Sequence, residues 1–437
     1  LQRNQKGTKL MENLELILSD QRAELSEIDL SNYITRQESE QINIRSTLAQ
    51  IVIGVRRSGK STLCQQVVMK QSEAFGYVNF DDDRLINFSS ADFDELLKAL
   101  YHINGNFNIL FLDEVQNIKG WELFVNRMLR QKMNVILTGS NANLLSQELA
   151  THLTGRYHQI ELYTYSFSEY CRILKVDTDS YTTKAIALRE KALNDYLLGG
   201  GFPELFKISE NEHTSYINSL FDAIIEKDIC KRYKIRHPQI LKSIALQILD
   251  EFAQEQSYTG IMEKNRLNSV NTTKKYIQYL SNAYLLCTIP RFSLKSRIRR
   301  TVCKYYAIDC AFITMHEGAL QTESFGLRLE NAVAIHLLRK TRQKFSQLYY
   351  LKNDRNYEID FVIVSGNRIS EMVQVTYDFR EPSTKLYNRE LVNLAKAAKQ
   401  FNCDNLTLVM MYGKTGDIII EGKTIHCVSA TRYLLAD

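Results

Sequence analysis

AQIVIGVRRSGKST, residues Ala49 to Thr62, is the stretch on which the fold turns. An apolar run, Ala49–Ile53, leads into Gly54-Val-Arg-Arg57-Ser58-Gly59-Lys60-Ser61-Thr62, and helix-length sequence follows to Met69. The motif is G-x-x-x-x-G-K-[ST] between a strand and a helix, the context in which it binds phosphate. The glycines let backbone N–H groups curl around phosphate oxygens, and the helix N-terminus adds partial positive charge. Gly54, Arg57, Ser58, Gly59, Lys60, Ser61 and Thr62 are therefore expected to line ATP. Lys60 should reach the β- and γ-phosphates, and the Ser61 hydroxyl should ligate Mg²⁺.

Downstream, short apolar runs alternate with helix-length segments. The runs are Phe75–Phe80, Ile109–Leu112 and Val135–Leu137, with a polar-alternating run at His158–Leu162. Such alternation predicts an α/β unit with a mainly parallel sheet, whose uninterrupted apolar strands are buried on both faces. Ile109–Leu112 ends in Asp113-Glu114: Asp113 can hold Mg²⁺, and Glu114 is placed to polarise the attacking water. Val135–Leu137 ends in Thr138-Gly139-Ser140-Asn141, where Ser140 or Asn141 is the expected sensor of the γ-phosphate. A helix over 142–153 closes with Thr154-Gly155-Arg156. Arg156 is expected at the rim of the sheet, able to enter a neighbouring subunit's site as an arginine finger.

Bulk properties frame this module. A chain of 437 residues with 44% hydrophobic and 24% charged residues is long enough for several cores. The net charge of +5 is mild and does not by itself point to a partner. No apolar run reaches the roughly 18 residues of a membrane span, so a cytoplasmic protein with no membrane partner is expected. Eight cysteines stand singly with no CxxC pair, and the eight histidines form no HExxH, so free buried thiols and no zinc site are expected. Residues 1–10 precede Met11 without periodicity and are set aside as an upstream extension; 11–48 read as helical.

The order of P-loop, Asp-Glu strand, polar sensor strand and Gly-Arg helix end resembles an AAA+ ATPase. More closely, the strings GVRRSGKST, ILFLDEVQ, ILTGSNANLLS, LTGRY, the Gly199–Pro203 element and DIC resemble ATPases that pair an AAA-type module (AAA_14) with a DUF4143 region. The resemblance covers nearly the whole chain from Met11. It implies that Gly201-Phe202-Pro203 lies in a helical lid near the adenine, with Pro203 in the nucleotide site. No lid arginine stands at a recognisable second sensor position.

The expected fold is thus α/β: a P-loop AAA+ parallel-sheet domain at 11–165, a helical lid at 166–235, a winged helix at 236–310 and a restriction-endonuclease-like α/β domain at 311–437. In the winged helix, Leu241–Gln254 is the first helix and Lys274–Ala283, with Lys274 and Lys275, the recognition helix. The wing between strands Leu285–Pro290 and Thr301–Ile308 carries Arg291, Lys295, Arg297, Arg299 and Arg300, with Lys304 just beyond. Dense cations in a hairpin are the footprint of contact with DNA phosphates.

The last domain resembles PD-(D/E)xK proteins in residues: Glu330 on a first helix, Glu358 and Asp360 on a strand, and Gln374-Val375-Thr376 on the next. Thr376 stands where the catalytic lysine is expected, so binding rather than cutting is expected, with Lys385 and Lys396 as substitutes that no spacing requires. Two functions follow. One is a ring-forming homo-oligomer, a hexamer for instance, that hydrolyses ATP to remodel or move on DNA, including branched DNA. The other is a slow nucleotide-gated switch of the STAND kind that recruits a protein, or, if the last domain cuts, an ATP-coupled nuclease.

Overall fold

The computed structural model describes residues 2–140, 153, 155–293, 302–317, 324–344, 346–353 and 357–436. Two compact units divide it, Leu1–Tyr163 and Thr164–Asp437.

Unit 1 opens with helix α1 (Gln2–Glu27), and the chain then crosses residues 28–48 in short 3₁₀ turns and extended backbone rather than the long helix expected. The reason is visible at Arg36. Its guanidinium is 4% exposed and donates to Ser58 O (3.0 Å) and Tyr163 O (2.8 Å), which draws the segment against the phosphate loop. Strands β1 (Ala49–Gly54), β2 (Phe75–Asn79), β3 (Ile109–Asp113), β4 (Asn134–Gly139) and β5 (Tyr157–Leu162) form one all-parallel sheet in the order β2-β3-β4-β1-β5. β1 and β3 are buried along their whole length, as uninterrupted apolar strands must be. Helix α2 (Lys60–Met69) lays Leu63, Cys64, Val67 and Val68 against Val52, Phe111 and Ile136. Helices α3 (Phe93–Asn104) and α4 (Trp121–Arg130) join through the stacked rings of Phe93 and Phe124, centroids 4.1 Å apart.

Unit 2 begins with helices α5 (Phe167–Ile173), α6 (Thr183–Gly199) and α7 (Glu210–Ala223), the last continued by a π-helical stretch, Ile224–Lys231. The break after α6 is enforced by Gly200. At φ +78° a Cβ there would lie 1.8 Å from Asp309 Oδ1, and the same carboxylate receives the neighbouring N–H group: Gly201 N donates to Asp309 Oδ2 at 2.9 Å. Then come α8 (Pro238–Asp250), β6 (Glu255–Ser257), α9 (Tyr258–Lys264), α10 (Val270–Asn282), β7 (Leu286–Pro290) and β8 (Val302–Ala307), the strands pairing as β6-β8-β7. Over 238–308 sequence periodicity predicts three helices and then two strands; the three-residue strand β6 is the addition to that order. The expected wing cations Lys295, Arg297, Arg299 and Arg300 lie outside the described residues, as does Asn141 of the sensor segment.

After α11 (Ala311–Glu317), helix α12 (Phe325–Gln343) packs on a six-stranded mixed sheet. Its strands are β9 (Gln347–Lys352), β10 (Glu358–Ser365), β11 (Arg368–Asp378), β12 (Leu406–Tyr412), β13 (Gly416–Ile420) and β14 (Lys423–Ser429), in the order β13-β14-β12-β11-β10-β9. Helix α13 (Asn393–Phe401) buries Leu394, Ala395 and Ala398 with Leu406, Leu408 and Ile425 in the core of this sheet. The β13–β14 hairpin and the closing helix α14 (Ala430–Leu435) extend the domain beyond the last strand expected. The hairpin turns at Glu421 and Gly422, both at positive φ, as a tight two-residue loop requires. Among the described residues no helix is long and apolar enough to cross a membrane, and all eight cysteines are free and buried.

Candidate active site

The phosphate loop joins the C-terminal end of β1 to α2, whose first residue is Lys60, two positions earlier than the sequence pattern marked. Gly54 is required there: at φ +152° a Cβ would stand 2.0 Å from Leu162 O. Gly59 takes the left-handed conformation (φ 92°) that turns the chain into the helix, and Arg57, exposed, is also at positive φ (67°). The loop has the character of a phosphate cradle. Ser58 Oγ is wholly buried and has no hydrogen-bond partner among the described residues. Lys60, 4% exposed, donates to Val55 O at 3.1 Å, so its ammonium is folded into the loop it would share with phosphates. Thr62 follows on the first turn of α2.

The parallel register brings the second half of the site to the same edge of the sheet. Asp113 ends β3, and the Ser61 hydroxyl donates to Asp113 Oδ1 at 2.9 Å. Burial, reinforced by the adjacent charge of Glu114, raises the Asp113 carboxyl to about 6, against hydrogen bonds from Thr138 and Ser61 and the charge of Lys60, which lower it. Ser61 and Asp113 are the pair that would hold Mg²⁺, which when bound supplies positive charge to the β- and γ-phosphate oxygens. Glu114 is half-buried at φ 52°, its carboxylate accepting from Gln116 Nε2, and it stands one residue beyond Asp113 where it can face an attacking water.

The polar group that β4 delivers is Thr138, which sequence reasoning passed over. Its hydroxyl, wholly buried, donates to Asp113 Oδ1 and accepts the backbone N–H of Glu114 at 2.9 Å. Thr138 thereby ties both acids to β4. Ser140, two residues on, is buried; the expected sensor is Ser140 or Asn141, and Asn141 lies outside the described residues. A signal existed: β3 and β4 pair Ile109 with Asn134, and counting on from that pair sets Asp113 beside Thr138.

Arg156 immediately precedes β5, and its backbone carbonyl accepts from Ala49 N at 3.0 Å, at the N-terminal edge of β1. Six residues of β1 separate that edge from the loop, about 17 Å at the strand rise of roughly 3.3 Å per residue. The Arg156 backbone thus lies at the far end of β1 from the loop, and its exposed guanidinium is bonded to Asn126 Oδ1 at 3.0 Å.

In unit 2, Lys274 and Lys275 are exposed on α10, the Lys274 ammonium 5.3 Å from the Tyr258 ring centroid. Two other expected DNA contacts need correction. Arg291 is half-buried and donates through Nε to Lys352 O at 3.0 Å, which pins the end of β7 beside β9. Lys304 is 3% exposed and inaccessible to any phosphate: its ammonium lies 2.9 Å from Glu330 Oε1, 2.6 Å from Glu358 Oε1 and 3.8 Å from Asp360 Oδ1. The acids expected as nuclease-like do gather. Asp360 N donates to Gln374 Oε1 at 3.2 Å, and Asp360 Oδ2 accepts Val375 N at 2.9 Å. Thr376 is buried on β11; the lysines near these acids include Lys304 of β8 and, 3.9 Å from Glu358 Oε2, Lys352 of β9. Pro203 opens a short 3₁₀ turn in unit 2 behind the wholly buried Phe202.

A phosphate loop, an acid pair and a bridging threonine at one edge of a parallel sheet ordered β2-β3-β4-β1-β5 define a P-loop domain of the AAA+ class. A family model described as an AAA domain, AAA_14, matches residues 46–171, and a domain of unknown function, DUF8612, matches 190–323. The Methanocaldococcus jannaschii protein MJ1544 is 33% identical over 378 residues, 84% of this chain and 82% of that protein. A Haemophilus influenzae protein is 32% identical over 346 residues, 76% and 83%. The chain belongs to the family of these two proteins, and its AAA_14 match assigns it to the AAA+ ATPase family. Among solved structures, the Walker-type ATPase PABY2304 of Pyrococcus abyssi has 16% identity, covering 65% of this chain and 95% of that one (TM-score 0.43). A point variant of Thermotoga maritima RuvB has 16% identity, covering 56% and 82% (TM-score 0.28). Likenesses this low carry no weight in the assignment.

Proposed function

We propose that this protein binds and hydrolyses ATP at the edge of its parallel sheet, as an assembly of identical chains that works on DNA. The observation that carries the reading is the joint placement of Lys60, Ser61, Asp113, Glu114 and Thr138. Lys60 compensates phosphate charge, Ser61 and Asp113 hold Mg²⁺, and Glu114 draws a proton from the attacking water as it meets the γ-phosphorus. Thr138 holds the two acids in register. Arg156, remote from its own loop, is read as the residue that stabilises transition-state charge in a neighbour, which makes a ring the working form.

DNA is proposed as the partner because unit 2 has the element order of a winged helix, with Lys274 and Lys275 exposed on its third helix. Arg297, Arg299 and Arg300 follow in the segment between β7 and β8. Two measurements test the reading. Lys60→Ala should abolish nucleotide binding, and retained affinity would remove the loop's role. Lys274→Ala/Lys275→Ala should lower the slope of log K against log salt for duplex DNA, by about 0.9 for each phosphate left unneutralised. An unchanged slope would place any DNA site elsewhere.

A further inference from the structure

Lys304, expected as a DNA contact just beyond the wing, sits instead among the acids of the C-terminal α/β domain. β8 is the middle strand of its three-stranded sheet, and Lys304 and Tyr306, two residues apart, share one face. That face meets Glu330 of α12: Lys304 Nζ and Tyr306 Oη both donate to Glu330 Oε1, at 2.9 and 2.8 Å. Glu358 and Asp360 of β10 approach the same ammonium at 2.6 and 3.8 Å. The position is over-determined, because Asn331, next to Glu330, exchanges two hydrogen bonds with the backbone of Ala307 at 2.9 and 3.0 Å.

Burying a lysine is unfavourable by itself; it is tolerated here because carboxylates converge on it. The two shorter contacts are those of hydrogen bonds from an ammonium. With the ammonium in place, no three His, Cys, Asp or Glu side chains among the described residues are arranged to hold a metal ion.

We propose that the Lys304 ammonium is the resident cation of this carboxylate cluster, occupying the place a divalent ion would take. The α/β domain then carries no divalent ion at Glu330, Glu358 and Asp360 and does not hydrolyse phosphodiesters, and removal of the ammonium converts the three acids into a divalent-cation site. The same contact anchors β8, the strand that leads out of the basic segment, to α12 and β10. The inference rests on unit 2 alone and stands or falls independently of ATP hydrolysis.

The test is Mn²⁺ binding to the full chain without nucleotide, followed by the electron paramagnetic resonance of free Mn²⁺. Wild type and Asp360→Asn should bind the same amount. Lys304→Met should bind one ion more, which Lys304→Met/Asp360→Asn loses, and Mn²⁺ should raise the melting temperature of Lys304→Met but not of wild type. A wild-type Mn²⁺ that disappears in Asp360→Asn would overturn the proposal, as would a folded Lys304→Met that gains none. Should Lys304→Met not fold, the wild type and Asp360→Asn pair decides by itself, and Lys304→Gln, which keeps a donor, replaces the methionine variant. Cleavage of four-way or linear DNA by wild type but not by Asp360→Asn would also overturn it.

Discussion

At the scale of single residues, one hydroxyl carries more of the candidate site than its appearance in sequence announces. Thr138 donates to Asp113 and accepts from the Glu114 backbone, so it fixes the carboxylate facing Ser61 and the backbone of the acid facing water. Thr138→Val keeps the shape and removes both bonds. Asp113 Oδ1 keeps Ser61 as a donor, but the Glu114 N–H is left without its partner, which costs about 1–3 kcal/mol. If that loss is felt in positioning, turnover should fall about tenfold or more while ATP affinity changes little. Phosphate release and fluorescent-nucleotide binding, measured on the same sample, separate the two; an unchanged rate would show that the acids are held without Thr138. The residue was legible only through register. Composition and motif point to Asp113, but which β4 side chain lies beside it depends on how two strands align, and an apolar run does not state where its pairing begins.

At the scale of elements, most of the sheet in unit 1 could be read from its apolar runs, since strands buried on both faces leave an unbroken signature. Segments held by side chains rather than by periodicity could not. Residues 28–48 look helical until Arg36 ties them to Ser58 and Tyr163, and Lys304 looks like a wing cation until α12 and β10 supply its partners. In both cases the deciding contact is distant in sequence. The packing of α12 against α14 offers a titration that tests unit 2. His336 is half-buried with its Nε2 shut off from solvent, its ring 5.4 Å from that of Tyr433, and desolvation together with the charges of Lys340 and Arg339 lowers its pKa to about 3. The folded chain keeps it neutral while the unfolded chain takes up a proton below about 6.5, so acid favours unfolding. The stability is present above about pH 6.5 and falls away as pH drops towards 3, by up to about 1.4 kcal/mol per unit. Urea unfolding at pH 7 and pH 5 should show a smaller loss in His336→Gln than in wild type. Equal losses would assign the acid sensitivity elsewhere.

For the whole molecule, the distance between Arg156 and its own phosphate loop bears on assembly. With its backbone about 17 Å along the sheet from the loop, Arg156 is proposed to act on hydrolysis in a neighbouring chain. Arg156→Ala and Glu114→Gln, each inactive alone, should recover part of the activity when mixed, because some interfaces then hold both intact groups. No recovery, with mixed assemblies confirmed by mass, would leave Arg156 a surface residue bonded to Asn126. The central claim, that this is an ATP-hydrolysing protein driven by the Asp113–Glu114 edge and engaged by DNA, is tested most directly by steady-state phosphate release. It should be measured for wild type and Glu114→Gln with no DNA and with single-stranded, duplex and four-way DNA. Wild type should turn over and accelerate with at least one DNA form, while Glu114→Gln retains bound ATP and releases almost no phosphate. Equal turnover by the two proteins, or a wild type that binds ATP and never hydrolyses it, would contradict the account.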